Sequence, residues 1–210
     1  MNFLSHLWLA GDDESLMLGA MLGDFVRGSQ VLETYPDGVR RGIELHRFID
    51  YSVDALPDVV NLRKYFRVPF RRYSGIIIDL AYDHELARRW EAYSDESLEN
   101  FDLKVREMLA RHDELVPEDL HRFMRYADRR GLFAAYRSKS EILLSLTGIG
   151  KRLSRPNPLE RVDQIWDDLQ PRFSASFDSV LRQVQKAVAV WLKEKSIHYR
   201  PWNRTRAEAG

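Results

Sequence analysis

Apolar positions in this 210-residue chain recur at three- and four-residue steps, the period of helices that bury one face. The pattern is longest near the C-terminus. There Val162, Ile165, Trp166, Leu169, Phe173, Phe177, Val180, Leu181, Val184, Val188 and Trp191 form one stripe of a helix predicted over roughly 159–195. Upstream, the same period predicts a short helix over 2–9 and one opened by an Asp12 or Asp13 cap and closed by Gly28 after Arg27. Others run from Pro36 to Asp54, from Pro57 to Phe66 and from Pro69 to Trp90, then over 97–112, 117–129 and 131–153. Strict alternation of apolar and polar residues is sustained nowhere, and GIIID at 75–79 sits inside a helix-compatible stretch. The expected fold class is all-α, a single-domain multi-helix bundle over 1–195, followed by a polar, Arg-rich tail at 196–210 expected to be flexible.

Composition narrows the function classes. Hydrophobic residues make up 44% of the chain and charged residues 30%, enough apolar surface for one core. The longest apolar run, in EILLSLTGIG, falls short of the roughly 18 residues that cross a bilayer, so no membrane role is expected. The start, MNFLSHLWLAGDDE, lacks a basic leader and contains His6, and there is no cysteine. A cytoplasmic protein without disulfides or thiolate metal ligands follows as the expectation. Net charge is zero, which disfavours generic nucleic-acid binding, but the charge is uneven. Between Val59 and Ile78 lie five basic residues, Arg63, Lys64, Arg67, Arg71 and Arg72, and no acid. Such a patch fits a local acidic partner as well as a solvated helix face. Oligomeric state is left open.

Three segments carry candidate chemistry. In RRGIELHRFIDYSVD, His46 and Asp50 stand one helical turn apart on one face. They suit a shared divalent cation, although taken alone the pair reads more readily as a local hydrogen bond. In IIIDLAYDHELARRW, Asp79 and Asp83 are again one turn apart, with His84 adjacent. A buried Asp79 needs either a cation or an arginine such as Arg27 or Arg47. In LGAMLGDFVRGSQ, Asp24 falls near a predicted helix C-terminus, where the macrodipole disfavours an acid. Arg27 beside it can pair with it or grip a phosphate. His6 is embedded among Phe3, Leu4, Leu7 and Leu9, the usual setting of a satisfied core histidine. Jointly these segments place three of the six histidines and four aspartates on separate helices before residue 85. Nitrogen and oxygen donors without sulfur suit Mn²⁺, Mg²⁺ or Fe²⁺, and sites of that type hydrolyse by activating water. The signatures G-x-x-x-x-G-K-[ST], G-x-G-x-x-G, G-x-S-x-G and H-E-x-x-H are absent.

The order and spacing of NFLSHLWLA, GDFVRG, HRFID and IDLAYDH, followed by GLFAAYRSKSEILLSLTGIGKRL, resemble the acyl-carrier-protein phosphodiesterase family. That family is a divergent branch of the HD phosphohydrolase superfamily, and the resemblance spans about residues 1–195. It implies an all-helical, HD-domain-like fold and dependence on a divalent cation, usually Mn²⁺. The implied reaction releases 4′-phosphopantetheine from holo acyl carrier protein. It points to His6, Asp24, His46, Asp50, Asp79, Asp83 and His84 as the polar core of the site. The adjacent pair Asp83–His84 reverses the superfamily's His–Asp order.

On this reading Asp24, His46, Asp50, Asp79 and Asp83 are the candidate cation ligands, and His6, Asp24 and His84 the candidate catalytic residues. Arg27 or Arg47 would hold the phosphodiester, and Arg63, Lys64, Arg67, Arg71 and Arg72 would dock the acidic carrier. Two alternatives stand beside it: a phosphohydrolase acting on a nucleotide or another small phosphodiester, and a non-catalytic helical module binding an acidic partner.

Overall fold

A computed structural model of the chain describes residues 1–128 and 131–202. Among them the regular elements are helical, with no strand. The α-helices are α1 (Phe3–Ala10), α2 (Glu14–Leu22), α3 (Ser29–Leu32), α4 (Asp37–Ala55) and α5 (Pro57–Arg63), then α6 (Ser74–Arg88), α7 (Leu98–Arg111), α8 (Glu118–Asp128), α9 (Lys139–Arg152) and α10 (Asp163–Glu194). No described helix is long and apolar enough to cross a membrane.

Two short apolar segments form the middle of the body. Every residue of α1 is buried, including Ser5 and His6. Most of α6 is buried too, with Asp83, His84 and Glu85 among its covered residues. A helix apolar on all sides has no solvent face to offer, so it is surrounded: α1 packs on α2, α4 and α6, and α6 also meets α9 and α10. The predicted stripe of α10 covers this centre through Trp166, Leu169, Phe173, Phe177, Val180, Leu181, Val184 and Val188, all buried. Ile165 and Trp191 are only partly covered, at the edges of the stripe.

The closest pairing is between α2 and α4, and two glycines explain it. A Cβ on Gly19 would stand 2.2 Å from the Val39 carbonyl and 2.5 Å from the Gly42 Cα, and one on Gly42 would stand 2.5 Å from the Leu16 carbonyl. Backbones this close bring the Ala20 carbonyl within reach of a side chain on α4.

Several predicted boundaries shift. Asp13 caps α2 by accepting from the Leu16 amide at 2.9 Å, one of the two caps expected. That helix stops at Leu22 rather than Arg27, since the Phe25 and Val26 amides both fold back onto the Leu22 carbonyl. The stretch from Pro69 opens as a 3₁₀ turn before α6, and the segment after Gly131 forms a 3₁₀ turn at Ala134–Arg137 before α9. The predicted helix end at residue 129 and the tail from residue 203 lie outside the described residues. The chain stays on the body past α10: Ile197, Tyr199 and Trp202 pack against the core, and the Asp12 amide donates to the Arg200 carbonyl at 3.1 Å.

Candidate metal centre

The centre is built where α1 and α2 lie against α4. His46 projects from α4 toward α2, and its Nδ1 donates to the Ala20 carbonyl at 2.8 Å. That bond orients the ring and leaves Nε2 facing inward, the arrangement by which outer hydrogen bonds prepare histidine ligands. Gly23 makes room for the ring, because a Cβ there would lie 2.2 Å from the His46 Cγ. His6, from α1, stacks on His46 with centroids 3.9 Å apart and planes 15° from parallel. Asp50, one turn along α4 from His46, reaches both rings. Its Oδ1 is 3.0 Å from His6 Nε2 and its Oδ2 is 3.3 Å from His46 Nε2. His6, His46 and Asp50 each offer a ligand atom, and these atoms lie within 4.8 Å of one another.

Asp24 stands at the rim. It lies beyond the end of α2, so the unfavourable helix terminus expected from sequence does not arise. Its Oδ1 is 3.5 Å from His46 Nε2 and half its side chain meets solvent. Arg47 fixes the turn that carries it by donating to the Val26 carbonyl at 3.0 Å. Phe25, the next residue, stacks on Phe3 at 6.0 Å, and Phe3 lies one turn before His6 on the same face of α1.

The electrostatics divide the two imidazoles. Burial, together with a charge on neighbouring His46, pulls His6 down to about 4. Burial also opposes the charged form of His46, but the hydrogen bonds it donates to Asp24 and Asp50 outweigh it and hold that ring up to about 9. Asp50 is desolvated as well, yet its two histidine partners keep it well below the usual carboxylate range. Asp24 is shifted down against its own desolvation, by hydrogen bonding to His46. One neutral and one charged ring thus share a carboxylate, since stacked like charges at this distance repel. His6 Nε2 also meets the Met1 carbonyl at 3.1 Å, while its Nδ1 is buried with no hydrogen-bond partner among the described residues.

The other sequence candidates fall elsewhere. Asp83 is fully buried and accepts from the Asn2, Leu4 and Ser5 amides and the Ser5 hydroxyl. It faces the start of α1 and takes no part in the triad. Asp79 accepts from the Met1 amino group at 2.5 Å, and burial pushes it up to about 6. His84 donates from Nδ1 to the Tyr136 carbonyl at 2.7 Å and meets Trp166 edge-on at 5.5 Å. Helical rotation between adjacent residues turns it away from the neighbours of Asp83. Arg27 is exposed in the turn after Asp24. Arg63 is tied to Asp54 at 2.5 Å and Lys64 to the Asn61 side chain at 2.7 Å. Arg67, Arg71 and Arg72 are exposed and make no ion pair among the described residues. Beside them Arg172, which sequence reasoning passed over, lies 3.7 Å above the Tyr65 ring.

His6, a candidate catalytic residue in the sequence, joins the triad only through tertiary packing. A histidine amid leucines reads as core, and only the crossing of α1 with α4 brings its Nε2 to Asp50. The Ala20 carbonyl and Gly23 wall left no sequence signal beyond a glycine before Asp24.

An all-helical body that gathers two imidazoles and one or two carboxylates from different helices, without sulfur, belongs to a recognisable class. It is a helical protein whose clustered donors could hold a divalent cation of the kind that serves hydrolysis. The family follows from comparison: the model of the acyl carrier protein phosphodiesterase family matches residues 1–184, and the chain belongs to that family. It is 34% identical over 194 residues to the acyl carrier protein phosphodiesterase of Escherichia coli O6:H1 (strain CFT073), covering 89% of this chain and 98% of the relative. The protein of the same name from Escherichia coli O157:H7 (strain EC4115) is 36% identical over 179 residues, covering 83% and 89%. No solved structure matches.

Proposed function

We propose that this chain hydrolyses the phosphodiester joining 4′-phosphopantetheine to the carrier serine of holo acyl carrier protein, giving apo carrier protein and free 4′-phosphopantetheine. The observation that carries the reading is the convergence of His6, His46 and Asp50 donor atoms within 4.8 Å in a member of this family.

The donor set fits a divalent cation. His46 Nδ1–H is anchored to a carbonyl, so Nε2 is the atom left to ligate, once the proton it holds against Asp24 and Asp50 in the metal-free protein is released. His6 Nε2 and Asp50 complete a sulfur-free set of nitrogen and oxygen donors open to Asp24; its carboxylates suit Mn²⁺ or Mg²⁺ and its imidazoles suit Fe²⁺. Bound there, a divalent cation supplies Lewis acidity to the phosphoryl group and makes water acidic enough to attack at neutral pH. Asp24, half exposed at the rim, would orient the attacking water and accept its proton, while the P–O bond to the carrier serine breaks and the serine oxygen takes up a proton from solvent. Arg27 offers a guanidinium to the non-bridging oxygens, whereas Arg47 holds the turn. His84 receives no part in the chemistry, because its ring is spent on Tyr136 and Trp166.

Substrate docking falls to the face beside the centre. Asp54 lies one turn beyond Asp50 on α4, and its pairing with Arg63 ties the end of α5 to the rim. Arg67, Arg71 and Arg72 keep free charge there, and Lys64, half-exposed Tyr65 and 88%-exposed Val68 adjoin them. A basic face with apolar points suits an acidic protein, where charge complementarity speeds encounter.

Purified protein mixed with holo carrier protein and Mn²⁺ is expected to remove the phosphopantetheine mass, followed by mass spectrometry of the carrier. An unchanged carrier mass with Mn²⁺, Mg²⁺ and Fe²⁺ alike overturns the proposal.

A further inference from the structure

Helix α1 has an N-terminus without a cap of its own, since the Asn2 side chain makes no capping bond. Its first amides are orphan donors that must find acceptors. They find them on a different helix. Asp83 Oδ1 accepts from the Asn2 amide at 3.1 Å, the Ser5 amide at 3.1 Å and the Ser5 hydroxyl at 2.5 Å, while Oδ2 accepts from the Leu4 amide at 2.9 Å. A carboxylate has about four lone-pair sites in all, so four donors leave Asp83 little capacity for a cation. His6 follows Ser5 directly, and its Nε2 also touches the carbonyl of Met1, just before the capped turn. The backbone on both sides of the Asp83 bonds therefore sets where the His6 ring can point.

We propose that Asp83 is a positioning residue: it clamps the first turn of α1 to α6 so that His6 Nε2 is held against Asp50 and beside His46, and it is not itself a cation ligand. The inference rests on reading His6, His46 and Asp50 as a cation centre. It assigns the conspicuous Asp83 carboxylate to geometry, one step removed from the reacting atoms.

The test uses the full chain, with Mn²⁺ affinity read by isothermal titration calorimetry alongside kcat and KM on holo carrier protein. Asp83→Asn is expected to weaken Mn²⁺ binding by about 10- to 100-fold, the usual effect of losing a group that orients a ligand. Saturating Mn²⁺ is expected to restore kcat, with KM for the carrier unchanged. Ser5→Ala, which removes the hydroxyl donor to Asp83, is expected to shift affinity the same way by less. The double variant should fall short of the sum, because the two changes break one shared interaction. Asp102→Asn supplies the comparison: Asp102 is also buried and also accepts from backbone amides, those of Phe133 and Ala134. It should lower Tm and leave Mn²⁺ affinity as it was.

Wild-type Mn²⁺ affinity in Asp83→Asn, despite a lower Tm, overturns the inference, since the clamp would then be a fold element only. A kcat that no Mn²⁺ concentration restores, with Ser5→Ala silent, overturns it in the other direction by placing Asp83 at the reacting atoms. Should Asp83→Asn not fold, the Ser5→Ala affinity decides alone. Absence of Mn²⁺ binding in the wild-type chain is a separate failure, that of the cation centre itself.

Discussion

At the centre each residue type is matched to what surrounds it. His6 and His46 are the same side chain one stacking distance apart, yet they titrate on opposite sides of their ordinary value of 6.5. The difference comes from partners: His46 has two carboxylates and His6 has one plus a charged neighbour. A pH dependence of the metal-free protein follows. His46 is raised to about 9, so its stabilisation is complete below 6.5 and is lost as pH climbs toward 9. His6 is lowered to about 4, so stability falls as pH drops from 6.5 toward 4, where the unfolded chain takes up a proton the folded one refuses. Asp50, held low, adds a loss as pH falls through and below the normal carboxylate range. At roughly 1.4 kcal/mol per unit, each histidine shift is worth on the order of 3 kcal/mol. Chelator-treated protein should melt highest near pH 6–7 and lower at pH 5 and pH 9. In Asp50→Asn the alkaline decline should flatten, because His46 loses its nearer partner. A Tm that rises steadily from pH 5 to pH 9 would contradict the assignment.

Helices place these residues in two different ways. Within α4 the four-residue spacing of His46, Asp50 and Asp54 puts centre and rim on one face, a relation that local geometry enforces. Between helices, placement depends on close approach, such as the glycine contact of α2 with α4 that lets the Ala20 carbonyl accept a hydrogen bond from His46 Nδ1. The basic run shows the same division. Its five cations are close in sequence, but Arg63 is spent on Asp54, and Arg172 joins from α10 over Tyr65. Reversing charge at the free positions tests docking separately from chemistry. Arg67→Glu with Arg71→Glu is expected to raise KM for holo carrier protein by about tenfold or more, since like charge against an acidic partner costs binding energy. Because both side chains are exposed, Tm and Mn²⁺ affinity should hold. An unchanged KM would remove this face from the proposal.

Over the whole molecule, the centre depends on enclosure. α1 reaches its position because α2, α4 and α6 close around it, and the chain end adds a strap across α7 and the α1–α2 turn. Trp202 meets Phe101 edge-on at 5.5 Å with Lys104 at 5.2 Å from its ring, and the Arg200 carbonyl takes the Asp12 amide between α1 and α2. A chain ending at Ser196 should therefore be less stable than one ending at Trp202, by about 3 kcal/mol given the partial burial of Ile197, Tyr199 and Trp202. Thermal melts of the two truncated forms, compared with each other, measure it. Equal Tm values would show that the strap contributes nothing.

The sequence by itself determined the all-helical class, since a period of 3.6 needs no tertiary information to be read. It also determined His46 with Asp50, because one turn of α4 fixes their separation. It pointed to Asp24, His6 and Asp83 as candidates without telling their tasks apart. That separation came from tertiary structure alone. Whether a buried carboxylate meets a histidine or a row of backbone amides depends on which helix end lies opposite it, and such contacts join residues about 80 positions apart in the chain. Helical periodicity encodes which face of a helix is buried. What that face is buried against is decided only when the helices pack.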